Sequence, residues 1–385
     1  MVYMFPRRLE LPKSSFFLLG PRGTGKTTWV QAQLPRAHRV DLLDEARYQG
    51  YLADPSLFAA ELRAVPAASW VAVDEVQRLP GLLNEVHRAI EERRLRFALT
   101  GSSARKLRRG GVNLLGGRAR QLTMFPFVPE ELGPDFRLER ALRHGTLPLV
   151  WDSPEPERTL EAYVQTYLKE EIQAEGAARN LAGFARFLPI AGLMHGQALN
   201  VSSIARDAGV ARQTVAGYVQ ILEDTLLATT VGAFEARLRI RERRHPKFYL
   251  VDPGLARAVK RQLGPLTAEE RGPLLEGFVL LLLRFYQERT ALCEDIGYWA
   301  PAEAQSTEVD FVLTRKRARL AIEVKATRTL RPADMRGLRA IADLPGLRRR
   351  VLVYLGQQPL ATPDGIDAWP IAHLARTLAE GALWP

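Results

Sequence analysis

Between Phe16 and Thr28 the chain reads FFLLGPRGTGKTT, an apolar run, a glycine-rich turn, a lysine and two hydroxyl residues. Glycines at 20, 23 and 25 let the backbone curl its N–H groups around a phosphate chain, with Pro21, Arg22 and Thr24 filling out the turn. Lys26 is placed to reach the β- and γ-phosphates, Thr27 to offer its hydroxyl to Mg²⁺, and Thr28 follows in the helix that points its positive end at the same anion. This spacing serves the binding of ATP with Mg²⁺. A second set ends the run SWVAVDE, where Asp74 would hold Mg²⁺ through water and Glu75 would polarise the attacking water as general base. The next apolar run, Arg96 to Thr100, leads into Gly101-Ser102-Ser103, where Ser102 or Thr100 is the candidate sensor of the γ-phosphate. Arg118 follows a basic, glycine-rich loop. It is either a surface arginine or one delivered to a neighbouring subunit, where its fork would stabilise charge on the transferring phosphoryl group.

Elements of a matching kind surround these residues. Phe16 to Leu19 reads as a buried strand and Thr28 to Leu34 as a helix stopped by Pro35, with further strands at 38–43, 69–75, 96–100 and 120–126. The whole chain has 385 residues, enough for two or three domains, and its 46% hydrophobic and 25% charged shares are those of a soluble globular protein. No run approaches the roughly 20 apolar residues of a membrane span, nothing at the amino terminus reads as a secretion signal, and the cytoplasm is the expected location. The one cysteine, Cys293, excludes an internal disulfide and a cysteine-based zinc site. A net charge of +11 points to a polyanionic partner, nucleic acid before membrane.

Prolines and acids between Pro148 and Pro156 mark an expected boundary. Beyond it, Arg158 to Gly176 is amphipathic. Asn200 to Leu222 then has helix–turn–helix spacing: a helix opened by Ser202 or Ser203 ends at Gly209, and a second buries Val215, Val219 and Leu222. That leaves Arg212, Gln213, Thr214 and Tyr218 outward, where a recognition helix would meet a groove. Two strands around an arginine-rich tip complete a winged helix. Arg237, Arg239, Arg241 and Arg243 recur at every second residue, which in an extended chain puts all four on one face for phosphates. Such a domain serves either nucleic-acid contact or packing between subunits.

Near the carboxy terminus, two apolar runs, Val309 to Leu313 and Leu320 to Val324, flank a basic turn. Strand alternation places Glu323 and Lys325 on one face, and Asp310 on the hairpin partner approaches them. Buried carboxylates there need a cation or partners.

The phosphate-binding turn, the Asp74-Glu75 pair, the strand ending Leu-Thr-Gly-Ser-Ser and the Leu-Gly-Gly-Arg loop together resemble the AAA+ branch that carries a carboxy-terminal domain of unknown function. That likeness covers essentially the whole chain and implies a homo-oligomer, a hexamer. Asp310 with Glu323-Val324-Lys325, preceded by a helix glutamate at Glu276, resembles the PD-(D/E)xK nucleases. It implies Mg²⁺ on Asp310 and Glu323, Glu276 completing or orienting the site, and Lys325 positioning or deprotonating water. Val309 stands where the pattern has proline, and the glutamine or lysine usual on the following helix is not evident.

The expected fold class is therefore α/β in three domains: an AAA+ P-loop ATPase domain over 1–150, a helical linker with winged helix over 151–262, and a nuclease-like domain over 263–385. The expected function is an oligomeric ATPase that processes duplex or branched DNA with a Mg²⁺-dependent endonuclease-like domain. The alternative is a nucleotide-dependent scaffold or regulator whose nuclease-like domain binds without cutting.

Overall fold

The structure, a computed structural model, describes residues 5–103, 117–167, 181–236, 244–302 and 307–385. Its first unit is built on five parallel strands, β1 (Phe16–Leu19), β2 (His38–Asp41), β3 (Trp70–Asp74), β4 (Arg96–Gly101) and β5 (Arg120–Thr123), in the order β2-β3-β4-β1-β5. Parallel strands joined by helical crossovers are covered on both faces, so the central strands β1, β3 and β4 are mostly apolar, while the edge strands β2 and β5 carry polar residues. On one face Phe17, Leu19, Val71, Val73 and Leu99 pack on Tyr51, Phe58, Leu62 and Val86. On the other, Phe16, Leu18 and Ala98 pack on Trp29 and Val30 of the helix Lys26–Gln33. Strand order reverses beside β1, whose carboxyl end opens on the crevice where ligands of such sheets bind.

The expected boundary near residue 150 falls inside packed structure. Leu147, Val150 and Trp151 are buried in a cluster that runs from Phe127 through Phe187 and Leu222 to Phe278 and Trp384. The prolines there open helices, Pro148–Trp151 and Pro156–Ala162, since proline at the first helical position gives up an N–H that has no partner anyway. The middle unit then pairs the helices Val201–Ala208 and Arg212–Asp224 with a small antiparallel sheet, β6 (Gln197–Ala198), β7 (Ala228–Val231) and β8 (Lys247–Leu250), in the order β6-β8-β7. Two expectations change here. Asn200, not Ser202 or Ser203, caps the first helix, its side chain accepting from Ser203 N at 3.0 Å, while Gly209 at φ 63° ends it as foreseen. Tyr218 faces inward, its ring 5.1 Å from Phe184 and 5.3 Å from Phe187. Val215, Tyr218, Val219 and Leu222 follow the i, i+3, i+4, i+7 stripe that a helix buries.

The last unit packs the helix Ala268–Thr290 against β9 (Asp295–Trp299), β10 (Val309–Arg315), β11 (Ala318–Lys325), β12 (Leu347–Tyr354), β13 (Leu360–Ala361) and β14 (Ile366–Pro370), ordered β13-β14-β12-β11-β10-β9. The neighbours β9, β10 and β11 run antiparallel, whereas β11, β12 and β14 run parallel. Phe311, Leu313, Ile322 and Val351 meet Phe278 and Leu282 of the long helix, while Val312, Ala321 and Leu352 meet Leu338 and Ile341 on the opposite face. Among the described residues no helix is long and apolar enough to cross a membrane.

Candidate functional site

The turn after β1 is held open by its glycines. Gly23 and Gly25 have φ 79° and 85°, in the left-handed region that a side chain resists, and the helix begins directly at Lys26. Lys26 is buried, and its Nζ donates to the carbonyls of Gly20 at 2.8 Å and Pro21 at 3.0 Å. Thr24 Oγ1 donates to Pro21 O at 2.8 Å. Two contacts fix the rim from beyond the first sheet: Leu149 N donates to Gly23 O at 3.1 Å, and Tyr163 Oη to Arg22 O at 3.1 Å. These two bonds join the loop to the chain beyond residue 147.

Across the crevice, Thr27 Oγ1 donates to Asp74 Oδ2 at 2.6 Å, and Thr100 donates to Oδ1 of the same carboxylate. A hydroxyl and a carboxylate converging beside a ring of amide donors is the donor set a Mg²⁺–triphosphate complex needs, so these residues fit that ion. Glu75 follows at φ 55°, which turns its side chain out of the strand path, and its N–H donates to Thr100 Oγ1 at 3.3 Å. Gln77 holds the Glu75 carboxylate through Nε2, which also donates to Ser102 Oγ at 2.9 Å. Both sensor candidates thus lie in one hydrogen-bonded line with the acids. Gln77 escaped the sequence reading. Gly101 makes room for it, since a Cβ there would lie 2.5 Å from Gln77 Oε1.

The carboxy-terminal acids are gathered too. Asp310 and Glu323 are both about 2% exposed and lie one step beyond the cross-strand pair Phe311–Ile322. Asp310 Oδ2 accepts from Val324 N at 2.8 Å, and Lys325 donates to Glu323 Oε1. Burial, then the Asp310 charge, hold the Glu323 carboxyl well above its ordinary range. Lys247 supplies what sequence reading missed. Its Nζ, on β8 of the middle unit, lies 2.9 Å from Glu276 Oε1, 3.0 Å from Asp310 Oδ1 and 3.5 Å from Glu308 Oε1. Burial opposes the charge on Lys247, but Glu276 and Asp310 outweigh it and raise the ammonium well above its usual range. Tyr249, two residues on and so on the same strand face, donates to Glu276 Oε1 at 2.5 Å.

This arrangement does not fit a divalent ion. A metal would need oxygens at about 2.0–2.6 Å, and an ammonium already stands between the two acids that would supply them. Among the described residues no group of three or more His, Cys, Asp or Glu side chains is set to hold a metal. The expected Mg²⁺ set of Asp310, Glu323 and Glu276 is thus brought together as expected but closed by a lysine. The only strong sequence signal for Lys247 was a charge opening an otherwise apolar strand, KFYL.

Comparison with known proteins matches residues 13–133 to the family model described as an AAA domain. The amino-terminal unit is a P-loop ATPase domain of the AAA type. Residues 135–265 and 271–374 match two models described as domains of unknown function, DUF8612 and DUF4143. The chain is 28% identical over 380 residues, 94% of its length and 80% of theirs, to uncharacterized proteins of Mycobacterium tuberculosis, Rv2008c, and Mycobacterium bovis, Mb2031c. Among solved structures it is similar to the Orc1 protein of Aeropyrum pernix in complex with DNA, at 15% identity over 66% of this chain and 87% of that one, with a TM-score of 0.32. A STAND ATPase with a tetratricopeptide repeat sensor from Pyrococcus horikoshii aligns at 12% identity over 72% of this chain and 45% of that one, with a TM-score of 0.21.

Beside the ATPase domain, Arg118 is exposed and pairs with Glu91 of the same chain. Arg212 and Gln213 are exposed and Thr214 half-buried at the start of their helix. Arg237, Arg239, Arg241 and Arg243 lie outside the described residues.

Proposed function

We propose that the chain is an ATP-hydrolysing, DNA-binding protein that works as a homo-oligomer, a hexamer by its AAA+ likeness, and couples nucleotide turnover to duplex or branched DNA. The Thr27–Asp74 pair at 2.6 Å, poised at the mouth of the phosphate loop, carries the ATP half of this reading. On nucleotide binding Lys26 would exchange the carbonyls of Gly20 and Pro21 for the β- and γ-phosphates, and the backbone N–H groups of Gly20 and of Arg22 to Thr28 would surround the chain. Thr27 and Asp74 would hold Mg²⁺, which when bound would supply positive charge beside the phosphoryl oxygens. Glu75, steadied by Gln77, accepts the proton of the attacking water. Arg118 leaves Glu91 to serve a neighbouring subunit.

The DNA half is supported by the net charge of +11 and by Arg212, Gln213 and Thr214 at the positive end of a helix, where phosphate oxygens are welcomed. The four arginines from 237 to 243 add a phosphate-facing row in the sequence reading. Hydrolysis by wild type, Lys26→Ala and the double variant Arg212→Ala/Gln213→Ala, measured with linear, single-stranded and four-way-junction DNA, tests both halves. Wild-type turnover in Lys26→Ala ends the ATPase assignment at this loop. Turnover indifferent to every DNA, with no DNA retained, ends the other half.

For the carboxy-terminal unit the Lys247 contacts favour the second reading, a nuclease-like module that binds without cutting in the arrangement described. Incubating wild type with the same DNAs and Mg²⁺ or Mn²⁺ is expected to leave them intact. Cutting that disappears in Asp310→Ala and Glu323→Ala would restore an endonuclease in which Lys325 positions water.

A further inference from the structure

Where the three units meet, the structure encloses a cavity of about 440 Å³, a volume in the range of small-molecule sites. Its walls come from Pro21 at the start of the phosphate loop, Met124 just past β5, Leu226 and Thr229 of the middle unit, and Leu280 and Leu281 of the helix Ala268–Thr290. Among the lining residues Arg284, on that same helix, carries the only positive charge. Its Nη1 donates to Gln287 Oε1 at 2.9 Å, its Nε is buried with no hydrogen-bond partner, and among the described residues no carboxylate forms an ion pair with it. The two carboxylates on the wall are already engaged. Glu223 Oε1 accepts from Thr230 N at 3.0 Å and Thr230 Oγ1 at 2.7 Å, and Glu288 Oε1 accepts from Thr123 N at 2.6 Å and Arg289 Nη1 at 2.8 Å. Burial, only partly offset by Asp295, Cys293 and Glu223, holds the Arg284 guanidinium below its usual range. A half-paired guanidinium sheltered from water is costly, and an acceptor brought into the cavity relieves it.

The chemistry of the occupant follows from these walls. A planar carboxylate matches the N–H fork of an arginine, and leucine, methionine and proline walls take an apolar body. Glu223 and Glu288 oppose a second negative charge, because like charges repel strongly where water is excluded. We propose that this cavity binds an organic monoanion, its carboxylate held by Arg284 and its apolar body lying among Leu226, Leu280 and Leu281. Lys26, Thr27 and Asp74 do not line the cavity, so the site is other than the one proposed for the triphosphate and goes beyond that reading. An occupant touches all three units at once.

The full-length chain is titrated by calorimetry, without nucleotide, with octanoate, with octanol, which has the same body and no charge, and with acetate, which has the charge and no body. One octanoate per chain is expected, bound at least tenfold more tightly than octanol, with no heat from acetate. Octanoate should also raise the thermal midpoint, since a ligand that binds only the folded junction stabilises it. Arg284→Met should weaken octanoate at least tenfold and leave octanol as it was. Octanol bound as tightly as octanoate, an Arg284→Met chain that keeps octanoate at the parent's affinity, or a wild type that binds no octanoate up to about 10 mM overturns the proposal. Thr229→Trp, which fills the cavity from a half-buried position on β7, gives a reading independent of the folding of the arginine variant. Loss of both octanoate and octanol with unchanged circular dichroism supports the site, and undiminished binding overturns it. Nucleotide is absent throughout, so either result leaves the ATPase reading to its own test.

Discussion

Thr27 Oγ1 donates to Asp74 Oδ2 at 2.6 Å although 47 residues separate them. The bond exists because parallel pairing sets β1 and β3 on either side of β4, so that the second residue of a helix and the last of a strand meet at the same sheet edge. Replacing either partner removes a group that would hold Mg²⁺ on ATP. Thr27→Ala and Asp74→Asn should each lose several kcal/mol of transition-state stabilisation, about 100-fold or more in kcat. Steady-state phosphate release measures it, and hydrolysis within threefold of wild type would refute the assignment.

Glu75 needs its partner as well as its carboxylate. Glu75→Gln should bind ATP with wild-type affinity and hydrolyse it about 10²–10⁴-fold more slowly, as loss of a general base does. Gln77→Leu, which frees the Glu75 carboxylate from its donor, should lower kcat less and leave nucleotide affinity unchanged. Fluorescent-nucleotide binding beside turnover separates the two effects.

Arg118 is exposed, and its pairing with Glu91 is a surface ion pair screened by water, weak enough to give up. If it acts on a neighbour, Lys26→Ala chains and Arg118→Ala chains, each inactive alone, should recover part of the activity when mixed, because some interfaces then join an intact loop to an intact arginine. Absence of recovery, with mixed oligomers confirmed by mass spectrometry, would return Arg118 to the surface role.

His195 carries a pH dependence unconnected with catalysis. Its Nδ1 accepts from Leu250 N at 3.1 Å, and burial, reinforced by the Lys260 charge, lowers it to about 3. A histidine neutral in the fold and protonated in the unfolded chain contributes stability that is present above its ordinary value of 6.5 and is lost as pH falls from there toward 3. The slope approaches about 1.4 kcal/mol per pH unit. Urea unfolding at pH 7.5, 6 and 5 should show wild type losing more stability than His195→Asn; parallel losses in the two would refute the account.

Gly145 and Asp252 tie the ends of the middle unit together. Asp252 caps the helix Pro253–Val259 through Leu255 N at 3.0 Å and accepts from Thr146 N at 2.6 Å. Gly145 has φ 79°, and a Cβ there would lie 1.9 Å from Asp252 Oδ1, so Gly145→Ala forces both strain and a clash. It should destabilise by about 3 kcal/mol or more. Asp252→Ala, which loses the cap and the buried bond, should cost about 2–4 kcal/mol, read from denaturant midpoints.

What could be read along the chain was whatever local order fixes. A glycine-rich turn needs glycine at 23 and 25 whatever lies around it, apolar runs of four or five residues make buried strands, and a strand ending in Asp74-Glu75 delivers its acids to the sheet edge. Alternation along a hairpin also brings Asp310 and Glu323 near each other. Tyr218 faces inward because an amphipathic stripe is wider than three positions, and Pro148 opens a helix where prolines in sequence look equally like breakers.

Only the tertiary structure decided the rest, since it alone sets which side chains from distant segments share one space. Gln77 meets Ser102 because two strands end side by side, and Leu149 and Tyr163 reach the phosphate loop because the middle unit folds back on it. Lys247 is the fullest case: a charge 63 residues from Asp310 and 29 from Glu276 becomes their counter-ion through packing between units. No spacing rule links those three positions, and the energy of a buried charge depends on neighbours in space that a linear chain does not display.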